Sequence, residues 1–194
     1  MNWSNPRSVE AKITRLTREI EEIDQFFYGG NENEDRDIYA GMLERKRDDT
    51  VRSAVSQMHM AIEDLLNTQI ICHILNVKSE NRKSKMRTKS GKALRRMLFG
   101  GGSMGFDMKL NFTVALGLLD AKTKKSLEVL NTLRNRCSHN WLLKVPVRNK
   151  RRPKQKKPPL LLYKGRDLHN VVMLKEFTKE YGSLYYRLFV KVLG

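Results

Sequence analysis

Apolar residues recur at helical steps through most of the chain. Ile13, Leu16, Ile20, Ile23 and Phe27 return every three or four positions, which predicts a first helix starting at Asn5-Pro6 or Ser8. Gly29-Gly30 stops it, and Asn31 to Asp37 is a polar, acidic loop. A short helix is expected over about 36–47 and a longer one over about 49–76, with Asp48 or Asp49 as its N-cap. The long helix carries Val51, Val55, Met58, Ile62, Leu65 and Cys72, and Ala54, Ala61, Leu66, Ile70, Ile71 and Leu75 widen that stripe. So broad an apolar face suits the centre of a helical bundle. His59 and Glu63, four apart on one flank, read as a helix-surface hydrogen bond.

The period then lapses. Lys78 to Ser90 has no apolar repeat and is expected to be a loop, followed by a short helix over about 91–99 with Leu94, Met97 and Leu98. Gly100-Gly101-Gly102 breaks that helix; it lacks the spaced glycine, Lys and Ser/Thr of a nucleotide-binding loop and follows no strand. Met104 to Leu119 reads as a helix with Phe106, Leu110, Val114 and Leu118 on one face, and Gly117 near its end. Asp120 caps the next helix, which brings Leu127, Leu130 and Leu133 to Arg134 and fades near His139 or Trp141. Pro146 forbids its continuation. After Pro158-Pro159, Leu160 to Tyr163 is strand-like, Lys164-Gly165 is a turn, and His169 to Met173 is a candidate return strand. A last helix over about 174–192 packs Phe177, Tyr181, Leu184, Leu188 and Val192. The fold class expected is all-α: one domain with a helical core over about 8–141 plus 174–192, and a basic insert with a small β-hairpin over about 146–173.

Charge changes the picture most. The 194 residues carry a formal net charge of +17, and the cations cluster. Nine lie between Lys78 and Arg96 and seven between Arg148 and Lys157. Such runs are often solvated faces, but this density points to an anionic partner, nucleic acid first and an acidic protein second. The positions expected to meet phosphates are Lys83, Lys85, Arg87, Lys89, Arg95, Arg96, Arg136, Arg148, Lys150, Arg151, Arg152, Lys154, Lys156 and Lys157. Lone aromatics such as Phe106, Trp141 and Tyr163 read as core before they read as base-stacking platforms. Cys72 and Cys137 lie far apart in apolar helical patterns and read as reduced thiols, and the four histidines show no zinc spacing, so neither metal nor cofactor is expected. The polar N-terminus and the lack of a long apolar run predict a soluble, cytoplasmic protein.

The candidate chemistry sits in Leu133-Arg134-Asn135-Arg136-Cys137-Ser138-His139. His can exchange protons near neutrality, and Arg presents a permanent planar cation that fits phosphate oxygens. By spacing alone, Arg134 and His139 read first as groups that stabilise the last carbonyls of a helix. The surroundings tip the balance. Leu98-Phe99-Gly100, Phe106-Asp107-Met108-Lys109-Leu110, Ala115-Leu116-Gly117-Leu118-Leu119-Asp120, Leu130, Leu133-Arg134-Asn135 and Ser138-His139 together resemble the mannitol operon repressor family and its relatives in the HEPN superfamily. The hallmark there is Arg, a polar residue, a few more residues, then His. The resemblance covers about 94–141, extends more loosely to the preceding long helix, and excludes everything after Pro146.

The resemblance implies a helical bundle that dimerises so that two motifs face each other, and, in many members, a metal-independent endoribonuclease that acts as a toxin or phage-defence effector. Others, the mannitol repressor branch included, are regulators. Arg134, Asn135 and His139 match the motif, and Glu63 corresponds to an acidic residue that orients the Arg in some members. Implied partners are RNA, a second copy of the chain and an acidic antitoxin or regulator. One constraint comes from geometry alone: residues five apart on a helix lie about 140° around its axis, so Arg134 and His139 cannot share a face of one regular helix. A second protomer would complete the site.

Overall fold

The computed structural model describes residues 11, 14–15, 18–19, 21–22, 25, 36–100, 102–139 and 161–193; for 36–44, 139 and 193 it describes the backbone alone. The stripe Ile13 to Phe27, the Gly29-Gly30 stop, most of the acidic loop, Trp141 and the second basic run lie outside the described residues. The described positions from Ala11 to Gln25 are helical. The chain is mostly helical, with a small antiparallel hairpin before the last helix.

Helix α1 runs unbroken over Arg36–Ile74, so the two helices expected from the sequence are one. Asp48 and Asp49 are therefore not caps. With no proline between 36 and 74, nothing forces a break, and Asp48 pairs forward to Arg52 instead of turning back on its own backbone. The end of α1 is set by Asn76, whose φ of 48° is left-handed, with the Val77 N–H returning to the Cys72 carbonyl at 2.9 Å.

The stretch expected as loop holds a 3₁₀ turn, Ser79–Asn81, and a single helical turn, α2, Arg82–Lys85. Thr88 caps α3, Lys89–Phe99, by accepting from the Gly91 N–H at 3.2 Å. Gly91 is required there: a Cβ would lie 2.2 Å from the Lys85 carbonyl oxygen and 2.5 Å from the Met86 Cα. Helix α4 covers Phe106–Ala115, shorter than expected, because Gly117 adopts a φ of 70° and Leu118 N–H closes back on the Thr113 carbonyl. Asp120 caps α5, Ala121–His139, as its composition predicts, taking the Thr123 amide at 2.8 Å and the Thr123 hydroxyl at 2.9 Å.

Strand β1, Leu162–Tyr163, pairs with β2, Arg166–Asp167, in the register Leu162↔Asp167 and Tyr163↔Arg166. The return strand is not at His169 to Met173. Lys164 and Gly165, with φ of 49° and 77°, make a two-residue turn that puts the chain back into pairing at once. Asn170 then caps α6, Val171–Leu193, through the amides of Val172 and Met173. Tyr163 is core, as expected: 2 % exposed and edge-on to Phe177 at 5.4 Å.

The chain divides into two compact units. In one, residues 58–132 and 181–193, the apolar face of α1 from Met58 to Ile71 is buried with Leu94, Leu98, Leu110, Leu127, Leu130, Tyr181 and Leu188. In the other, with 36–57, 133–139 and 161–180, Val51, Ala54, Val55, Leu133, Leu161, Leu168, Leu174 and Phe177 are buried. Among the described residues no helix is long and apolar enough to cross a membrane.

Candidate functional site

The C-terminal end of α5 carries the motif. Arg134, Arg136 and Ser138 are exposed, Asn135 is half-buried and Cys137 is buried. The alternation follows from helix geometry, since Leu130, Leu133 and Cys137 occupy the inward stripe and the polar positions fall outside it. Arg134 Nη1 donates to Asn135 Oδ1 at 3.1 Å, so two of the motif's side chains are brought together. The Ser138 hydroxyl donates to the Arg134 carbonyl at 3.1 Å. His139 is the final residue of the helix. Burial pushes the Cys137 thiol up to about 11; the Arg52 charge opposes this and the Asp48 charge adds to it, so the thiol stays protonated and is no nucleophile at neutral pH.

The turn is tied to α1. Arg52 Nη1 donates to the Cys137 carbonyl at 2.5 Å, while its Nε donates to Asp48 Oδ2, also at 2.5 Å. The second oxygen of Asp48 meets His169 Nε2 at 3.0 Å, and His169 Nδ1 meets Asp167 Oδ1 of β2 at 2.7 Å. The Arg47 guanidinium donates to the His169 carbonyl. Burial alone would pull the His169 imidazolium down, but hydrogen bonds to Asp48 and Asp167 and the charges of both carboxylates raise it overall. Burial likewise works against the Asp48 carboxylate, yet His169 and Arg52 together hold it below its ordinary value.

In the first run the expected phosphate-binding residues are exposed, and Lys78 and Lys92, which were not among them, are exposed as well. Lys83, Lys85, Arg87, Lys89, Lys92, Arg95 and Arg96 are all exposed, whereas Arg82 is half-buried with its guanidinium on the Thr68 hydroxyl. No carboxylate occurs between Asn81 and Phe106, and none of those seven side chains is in an ion pair among the described residues. Arg148, Lys150, Arg151, Arg152, Lys154, Lys156 and Lys157 lie outside the described residues.

Glu63 has other partners than an arginine. Its Oε1 accepts from Lys109 Nζ at 2.6 Å, and its Oε2 lies 3.8 Å from His59 Nδ1. His59 is no surface residue; it is 4 % exposed, with its ring 4.2 Å from that of Phe106 and its Nε2 3.2 Å from Asn131 Oδ1. Asn131 Nδ2 donates to Asp107 Oδ1 at 2.8 Å, which fixes the amide orientation and makes Oδ1 the acceptor for a His59 Nε2–H. Three helices, α1, α4 and α5, thus share one polar network, in which His59, Lys109 and Asn131 are buried, Glu63 is half-buried and Asp107 is exposed. Lys109 is 3 % exposed, and its ammonium is met by Glu63 and lies over the Phe99 ring, 5.9 Å from the centroid.

No protein-family model, curated protein or solved structure matches the chain.

Sequence reasoning did not name Arg52 or Asn131, and it named Asp48 only as a helix cap, His169 only as the start of a strand and Lys109 only within the resemblance. The Asp48-to-Arg52 spacing of four was a legible signal once α1 is continuous; the partner carbonyl of Cys137, 85 positions away, had none.

Proposed function

We propose that the chain is a metal-independent endoribonuclease that acts on RNA as a homodimer, with Arg134, Asn135 and His139 as its working residues. The observation that carries the reading is the C-terminal end of α5, where Arg134 stands exposed beside a half-buried Asn135 that is hydrogen-bonded to it. RNA supplies its own nucleophile, the 2′-hydroxyl. His139 takes the proton from that hydroxyl or gives one to the leaving 5′-oxygen, a contribution of about 10²–10⁴-fold. Arg134 neutralises the charge that builds on the phosphorane oxygens, and Asn135 holds its guanidinium in place. Two protomers meet the geometrical need, since residues five apart on one helix diverge by about 140°. A toxin or phage-defence role suits such an activity, and an acidic antitoxin suits the charge of +17.

The exposed cations from Lys83 to Arg96 favour a second reading, a non-catalytic regulator that binds nucleic acid on the same scaffold. Purified protein incubated with total RNA in EDTA, beside His139→Ala and Arg134→Ala, separates the two. The nuclease cuts and both variants lose the activity; a wild type that binds RNA without cutting it is the regulator.

A further inference from the structure

The final turn of any helix is its least anchored part, because the last four carbonyls have no partner within the helix. In α5 these belong to residues 136–139, the turn that follows Arg134 and ends on His139. If it frays, the angle between the two working residues is lost. Resting on the function proposed above, we infer that Arg52 is a positioning residue for the motif: it holds the last turn of α5 through the Cys137 carbonyl and so sets where His139 stands relative to Arg134.

The hold is built to be rigid. Arg52 lies in the middle of the 39-residue α1, not at a fraying end. Its guanidinium is a permanent cation with a fixed plane, and both ends of that plane are engaged, Nη1 on Cys137 O and Nε on Asp48. Asp48 is in turn pinned by His169, and His169 by Asp167 of β2. The Arg52 side chain is only 16 % exposed, so water competes poorly for the carbonyl. Cys137 contributes its carbonyl alone to this contact, its thiol being buried and protonated. Lys at position 52 could reach the carbonyl or Asp48 but could not hold both in one plane.

The test compares wild type, Arg52→Ala and Arg52→Lys for RNA cleavage in EDTA and for amide hydrogen exchange at Cys137, Ser138 and His139. Arg52→Lys keeps the charge, so it is the informative variant if Arg52→Ala does not fold. Expected for Arg52→Ala is a fall in kcat of about tenfold to a hundredfold with KM little changed, from the loss of one charged hydrogen bond at the turn. Exchange at the three amides should accelerate by a similar factor, and Arg52→Lys should recover part of both. Wild-type kcat and wild-type exchange in Arg52→Ala overturn the inference and leave the nuclease standing. A wild type that does not cleave overturns the nuclease; equal exchange in wild type and Arg52→Ala then overturns the hold as well.

Discussion

His169 and Asp48 meet at 3.0 Å, with Asp167 at 2.7 Å on the other ring nitrogen, so the imidazole lies between two carboxylates. A neutral ring can donate to only one of them. The protonated form is therefore the one the fold selects, with Arg47 on the His169 carbonyl and Arg52 on Asp48 completing the charged groups around it. Because the folded value is raised above the ordinary 6.5, the stability this contact gives is complete below 6.5 and lost as pH rises through the folded value. Asp48 is lowered, so its share is present above the ordinary 3.8 and lost as pH falls through its folded value. The contact should be strongest between those two ordinary values. Melting temperature followed across pH, wild type against His169→Ala, should show the variant losing most in that window; a loss that does not change with pH contradicts the assignment.

Glu63 and Lys109 give a second outcome, on stability. Glu63→Ala strands a buried ammonium and should cost about 3 kcal/mol, in the range for breaking a buried pair. Replacing both, as Glu63→Leu with Lys109→Met, should cost less than Glu63→Ala alone, since no uncompensated charge remains. Urea denaturation of the single and double variants decides it. A double variant at the sum of the two single losses would remove the case for a coupled pair.

Two glycines make a matched pair. Both lie within helices, where Ala is favoured over Gly by about 1 kcal/mol. At Gly182, in α6, nothing lies within 4 Å of an added Cβ, so Gly182→Ala should stabilise by about 0.5–1 kcal/mol. At Gly91 the Cβ would run into backbone at 2.2 Å, so Gly91→Ala should destabilise by about 1–3 kcal/mol as the α2–α3 connection is forced apart. Opposite signs in denaturant midpoints confirm the packing of α3; the same sign at both sites refutes it.

These elements also show what the sequence carried. The period of apolar residues made the helices and their inward faces legible, and local chemistry marked Asp120 as a cap and Lys164-Gly165 as a turn. The Asp48 cap failed because a capping residue and the first member of an i,i+4 pair look alike until the residue 85 positions away that engages Arg52 is known. The strand at His169 to Met173 failed because Asn170 begins a helix, a signal weaker than the β-branched run it competes with. At the candidate site, the exposure of Arg134 and burial of Cys137 follow from the same period that places Leu130 and Leu133. The network of His59, Glu63, Lys109, Asn131 and Asp107 was illegible as a whole because its members come from three helices; only its His59–Glu63 pair, four apart on α1, was read, and that as a surface contact.

The cations from Lys83 to Arg96 predict a salt dependence. For single-stranded RNA each neutralised phosphate contributes about −0.7 to the slope of log K against log salt. Replacing Lys83, Lys85, Arg87 and Lys89 by Ala should flatten that slope by about 3 if all four contact phosphates. Fluorescence anisotropy with a labelled oligonucleotide at a series of salt concentrations measures it. An unchanged slope takes RNA off this face.

The most direct measurement of the central claim is the chemistry of the cut ends. Attack by the 2′-hydroxyl leaves a 2′,3′-cyclic phosphate on one fragment and a 5′-hydroxyl on the other, with no metal in the step. Wild-type protein in EDTA should yield those ends, and His139→Ala should lower the rate by about 10²–10⁴-fold. Cleavage that leaves 5′-phosphates, cleavage undiminished in His139→Ala, or no cleavage at all would contradict the account.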